Sequence, residues 1–158
     1  MKAKTVTNFA TTLGVNLFLN PEVIIEKNGR FYLIDAALRP LMGRSDFFYA
    51  GLFLGKAKAG KFFPSFPFLS FLAKKNANRI VVDKKAAWLF ICGRPLFAKS
   101  VVRVFGSGKK NTNVLVLNES GDCLGFGRIT GDLTAHSEDG EIAVRCVSDV
   151  GDFLRRER

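Results

Sequence analysis

From Arg79 onward the chain is a succession of short apolar strings: "RIVV", "AAWLFICG", "VVRVF", "NVLVL", "CLGFGRI" and "EIAVRCV". Turn-rich segments break them up, among them "GSGKKN", "NESGD" and "GDLTAHSEDG". Many short strands at close spacing constrain a chain to a small barrel or sandwich, because each string suffices for one strand and for little else. The spacing predicts a strand in each of the six, with "RPLFAKS" as one helical turn after Gly93. Ser148 is placed to N-cap a final helix with Asp149 and Asp152 in its first turn and Arg155, Arg156 and Arg158 at its end. That charge order is the one a helix dipole favours.

The residues before Arg79 follow a different grammar. Val6, Phe9, Ala10 and Leu13 recur at helical spacing and stop at Gly14, and "VIIEKNGRFYLI" reads as two strands around an Asn28-Gly29 hairpin turn. A short helix is expected from Asp35, followed by the strand-like "FFYAGLFLGKA". In "KFFPSFPFLSFLAKK", Pro64, Ser65 and Pro67 open a helix whose Phe68, Leu69, Phe71 and Leu72 share a face and whose last turn holds Lys74 and Lys75. Core packing is the preferred reading of that phenylalanine-rich segment, over a membrane-dipping helix or a base-stacking platform. The polar "KKNANR" sets a domain boundary near Asn78, giving domains 1–78 and 79–158 in an α+β chain.

The stretch "GDCLGFGRIT" raises the possibility of a phosphate cradle. Gly125, Gly127 and Gly131 give G-x-G-x-x-x-G where a dinucleotide fold needs G-x-G-x-x-G, and a polar loop follows instead of a helix. A P-loop needs Gly-Lys-Ser/Thr, and Arg128-Ile129 stands in that place. Glycine inside a strand marks a bulge, a barrel bend or the close approach of another backbone, which is the reading that remains. Arg128 has Asp122 as a neighbouring acid and receives no functional role.

The chain of 158 residues holds 24 Lys and Arg against 14 Asp and Glu, a formal +10 that fits a polyanionic partner, nucleic acid first. Residues 79–110 carry eight of these cations against Asp83 alone. Residues 111–154 carry Arg128 and Arg145 against eight acids, so charge is segregated along the chain. Cys92, Cys123 and Cys146 are odd in number and set in apolar strings, as expected of buried free thiols in a reducing compartment. His136 lies in a polar loop and is the one histidine, so no metal site, cofactor site or histidine-dependent catalytic group is expected. No apolar run reaches the roughly 18 to 20 residues that span a bilayer, and a soluble intracellular monomer is expected.

"LFICGRPLFAKSVVRV" followed by "NVLVLNESGDCLGFGRIT" resembles the PUA domain, a small RNA-binding pseudo-β-barrel. With "GLFLGKAKAGKFFPSFPFLSFLA" before it and "VSDVGDFLRRER" after it, the chain resembles over its whole length the Nip-seven type of large-subunit ribosome-biogenesis factor. The resemblance implies an N-terminal α/β pre-PUA domain, a C-terminal PUA pseudo-barrel and no enzymatic activity. It also implies binding to single-stranded segments of precursor ribosomal RNA, with the exosome and other assembly factors as partners. Carried onto matching positions, it points to Arg155, Arg156 and Arg158 in "FLRRER" and to Arg94 and Lys99 in "GRPLFAKS". Lys109 and Lys110 join these from the basic run alone. A helix-end preference for cations and a solvated turn are the plain alternatives for these positions. An RNA-modifying enzyme carrying a PUA domain is the alternative function. The location expected is cytoplasmic in a prokaryote and nucleolar in a eukaryote.

Overall fold

The computed structural model describes residues 2–43, 47–131, 133 and 140–156. His136 and Arg158 lie outside the described residues. The chain forms two compact units, one of Met1–Thr11 with Asn16–Phe68 and the other of Thr12–Val15 with Leu69–Arg158.

In the first unit, helix α1 (Lys2–Thr12) precedes a four-stranded antiparallel meander of β1 (Ile24–Lys27), β2 (Arg30–Leu33), β3 (Leu52–Lys58) and β4 (Lys61–Pro64). The β1–β2 turn has Asn28 at φ 51° and Gly29 at φ 73°, the left-handed pair a tight hairpin needs. Successive β2 residues are buried on opposite faces. Phe31 meets Phe62 on one face, and Tyr32 meets Tyr49 and Phe53 on the other. The helix expected at Asp35 is a 3₁₀ helix, Ala36–Gly43, in which Pro40 removes a donor that an α-helix would use. Asp35 Oδ1 accepts the Ala37 N–H at 2.8 Å at its start.

Helix α2 (Phe66–Ala73) begins where Ser65 Oγ accepts the Phe68 N–H at 3.2 Å. Phe68, Leu69 and Leu72 are fully buried, as core packing requires, whereas Phe71 is only half-buried. Lys74 and Lys75 fall in the turn after the helix, outside its last turn.

In the second unit, six strands form a curled sheet in the order β6-β10-β9-β8-β5-β7. They are β5 (Arg79–Val82), β6 (Leu96–Phe97), β7 (Val101–Phe105), β8 (Asn113–Leu117), β9 (Cys123–Ile129) and β10 (Ile142–Asp149). Neighbours are antiparallel except β5 and β8. Ile80, Val82, Val114, Val116, Ile129 and Val144 fill the hollow with Phe90. Burying one such side chain contributes about 1.5 to 3 kcal/mol.

Three local expectations are corrected. "AAWLFICG" is not a strand but part of helix α3 (Lys84–Ile91), which starts where Asp83 Oδ1 accepts the Ala86 N–H at 2.8 Å. Ala86 and Phe90, four apart, face the core, and Trp88 turns outward at 65% exposure. "RPLFAKS" supplies the two-residue β6 and a 3₁₀ turn, Ala98–Ser100, so the single helical turn expected there is only its second part. The final helix α4 (Val150–Arg156) is capped by Asp149, whose Oδ1 accepts the Asp152 N–H at 2.9 Å, because Ser148 is still in β10 opposite Phe126.

The glycines of β9 behave as strand-bending residues. Gly125 has φ 144°, and a Cβ there would lie 2.1 Å from Ser148 O, beside the register shift between Cys146 and Ser148. Neither a side chain nor an unbulged ladder fits that crossing.

Candidate nucleic-acid interface

Of the residues that sequence reasoning selects, the described ones fall at the two ends of β10, and Arg158 lies outside the described residues. At one end β10 runs into α4. Asp149 is 3% exposed, and its Oδ2 accepts Arg155 Nη2 at 2.8 Å. Arg155 Nη1 donates to Ile91 O at 2.6 Å, so one guanidinium pins α4 to the end of α3. Gly151 permits this approach, since a Cβ there would lie 1.9 Å from Ile91 O. The hydrogen bond to Asp149 raises the Arg155 pKa above its ordinary value. Arg155 therefore serves the fold, whatever else it touches. Arg94 is exposed and follows Gly93, where a Cβ would lie 3.3 Å from Arg155 Nη2. Arg156 closes α4 in the same region.

The Asp149 carboxylate also orders a thiol. Cys146 Sγ donates to Oδ2 at 3.4 Å, and burial, then the Asp149 charge, pushes the thiol up to about 12. Burial pushes Cys123 up to about 11. Both are poor nucleophiles at neutral pH. Cys92 departs from the expected burial: it caps the C-terminal end of α3 and is exposed.

At the other end lie Lys99, in the 3₁₀ turn after β6, and Lys109 and Lys110, in the β7–β8 turn. Ala98 N–H bonds Glu141 O at 3.3 Å, and Asn111 N–H bonds Ile129 O at 2.9 Å, which fixes both turns at the Ile129 end of β9 and the Ile142 end of β10. All three lysines are exposed. Among the described residues none has a carboxylate partner. A strand of eight residues, at about 3.3 Å per residue, separates this end from Asp149 by about 23 Å.

Between the ends, Arg128 of β9 lies directly opposite Arg145 of β10, and both are exposed. Asp122 does not pair with Arg128. It is held in the β8–β9 turn, where Asn118 Nδ2 donates to Asp122 Oδ2 at 2.9 Å and the Asp122 N–H donates to Asn118 Oδ1 at 2.8 Å. Sequence reasoning leaves out Arg145, whose position opposite Arg128 depends on strand register. It also misses Trp88, which a strand reading of its segment hides. The signal for Trp88 was Asp83, an N-cap residue just before the apolar run. Lys84 and Lys85, four and three positions before Trp88, are exposed on the same side of α3.

A curled six-stranded sheet with α3 against its core is the architecture of a PUA pseudo-barrel, a class that points to RNA as ligand. Residues 78–158 match the model of the UPF0113 PUA domain, and the chain belongs to that family. A UPF0113 protein of Archaeoglobus fulgidus is 28% identical over 150 residues, covering 92% of this chain and 85% of that one. A PUA domain structure from Aeropyrum pernix K1, solved as a tartrate complex, is 28% identical, with a TM-score of 0.52 over 60% of this chain and 55% of that chain. This chain thus spans little more than half of that structure. A conserved PUA domain protein of Thermoplasma acidophilum shares the fold over 98% of this chain and 93% of its own, at 21% identity and a TM-score of 0.61. Among the described residues no helix is long and apolar enough to cross a membrane.

Proposed function

We propose that this chain is a non-enzymatic RNA-binding factor of the Nip-seven type that acts on precursor ribosomal RNA of the large subunit, with the exosome and other assembly factors as partners. The observation that carries the reading is a set of exposed cations on a PUA barrel that have no carboxylate partner among the described residues: Arg94, Lys99, Lys109 and Lys110. Each neutralises a phosphate and releases condensed counterions, which makes binding tight at low salt and weak at high salt. Arg156 and Arg158 add positive charge to the C-terminal segment of the sequence. Trp88, with Lys84 and Lys85 behind it, offers an aromatic face to an unpaired base. Cys123 and Cys146, held protonated at neutral pH, supply no nucleophile, in keeping with a binding role. The place of action follows the RNA: cytoplasm in a prokaryote, nucleolus in a eukaryote.

Ultraviolet crosslinking of the full chain in cells, followed by sequencing of the bound RNA, tests this. Reads concentrated on the large-subunit precursor are expected. Reads spread evenly over cellular RNA, or a modified nucleoside found by mass spectrometry after incubation with precursor ribosomal RNA, would overturn it.

A further inference from the structure

The β8–β9–β10 ladder sets Asn113, Arg128 and Arg145 in one row, each directly opposite the next. Residues so opposed share a face, and their Cβ atoms come to about 5 Å. One residue along, on the other face, the paired Ile129 and Val144 are fully buried, as the core demands. On the arginines' own face, the neighbouring pair Phe126 and Leu115 is buried at 6% and 0%, so this face opens to solvent at the arginine row. Among the described residues neither arginine side chain has an ion-pair or hydrogen-bond partner. Like charges placed opposite each other destabilise a sheet, so packing does not account for the pair. An anion held between them removes the repulsion.

We propose that Arg128 and Arg145 form a phosphate clamp that holds the backbone of an RNA strand crossing the outer face of β9 and β10. The inference rests on the RNA-binding reading above and adds a site at mid-strand to the cations at the two ends of β10. Two planar guanidiniums converging on one phosphodiester present parallel N–H donors to its oxygens, a geometry that lysine cannot copy. On β10 the exposed neighbours of Arg145 are Ile142 and Val147, the latter 57% exposed, so apolar surface lies beside the charge for sugar and base.

Fluorescence polarisation of a fluorescein-labelled single-stranded RNA 12-mer, titrated with the full chain from 50 to 300 mM KCl, tests the clamp. Arg128→Ala with Arg145→Ala should flatten the log–log salt slope by about 0.7, the share of the one phosphate that the pair no longer neutralises. The double variant should melt at the parent's temperature or above it, because a repulsion has been removed. Arg128→Lys with Arg145→Lys should keep the parent's slope while binding more weakly. An unchanged slope in the alanine variant overturns the clamp and leaves the RNA reading standing. A melting temperature lowered by several degrees assigns the pair to packing and also overturns the clamp. Failure of the parent chain to bind RNA at 50 mM KCl removes both the reading and the clamp.

Discussion

The two ends of β10 carry cations with opposite fates. At the α4 end, Arg155 is taken up by Asp149 and Ile91 O, and the carboxylate that holds it also caps the helix and accepts a thiol. At the far end, Lys99, Lys109 and Lys110 stand on short turns fixed by backbone hydrogen bonds, their charges exposed. Membership in a basic motif therefore does not decide what a cation does; its neighbours do. The neutralised cation, Arg155, pins α4 to the fold. Cations left unneutralised are available to a phosphate.

The largest effect belongs at the α4 end. Gly125→Val puts a branched side chain at φ 144° and into Ser148 O, and should destabilise the chain by about 3 kcal/mol or more in urea unfolding. A loss below about 1 kcal/mol would mean that β10 shifts freely and that this end is not rigid. Asp149→Ala removes the α4 cap and the partner of Arg155 together, and about 2 kcal/mol should be lost by the same measurement. RNA affinity at fixed salt should barely change once the variant is folded. If affinity fell and stability held, the division between the two ends would collapse.

A smaller effect sharpens the same contrast without touching stability at neutral pH. Iodoacetamide at pH 8 should label exposed Cys92 first, as read by peptide mass spectrometry. With pKa values of about 11 and 12, Cys123 and Cys146 hold thiolate fractions of only roughly 10⁻³ and 10⁻⁴ at that pH. Because folding raises both thiols from 9.0, their contribution to stability is complete below pH 9 and is lost as pH rises through 11 to 12. The urea midpoint should fall across that window, and fall less in Cys146→Ala.

Much of the fold was legible wherever a local rule settled the structure alone. The Asn28-Gly29 hairpin, the strand-bending glycines of β9 and the helix that stops at Gly14 each depend on chemistry within a few residues. Helix α3 was hidden because eight apolar or small residues in a row carry no periodicity of their own; only the cap at Asp83 distinguishes it. The cap of α4 was misplaced by one residue because serine and aspartate are both good caps, and only the length of β10 chooses between them. The interface was legible as charge and not as geometry. Which cations Asp149 neutralises, and that Arg128 meets Arg145, are consequences of strand register and long-range packing.

The salt dependence of RNA binding tests the central claim most directly. With the fluorescein-labelled RNA 12-mer, the variant Lys99→Ala, Lys109→Ala, Lys110→Ala should lose about 2 units of log–log slope at unchanged melting temperature. Arg155→Ala should lower the melting temperature and keep the parent's slope. The reverse outcome, with the slope carried by Arg155 and untouched by the three lysines, would contradict the account.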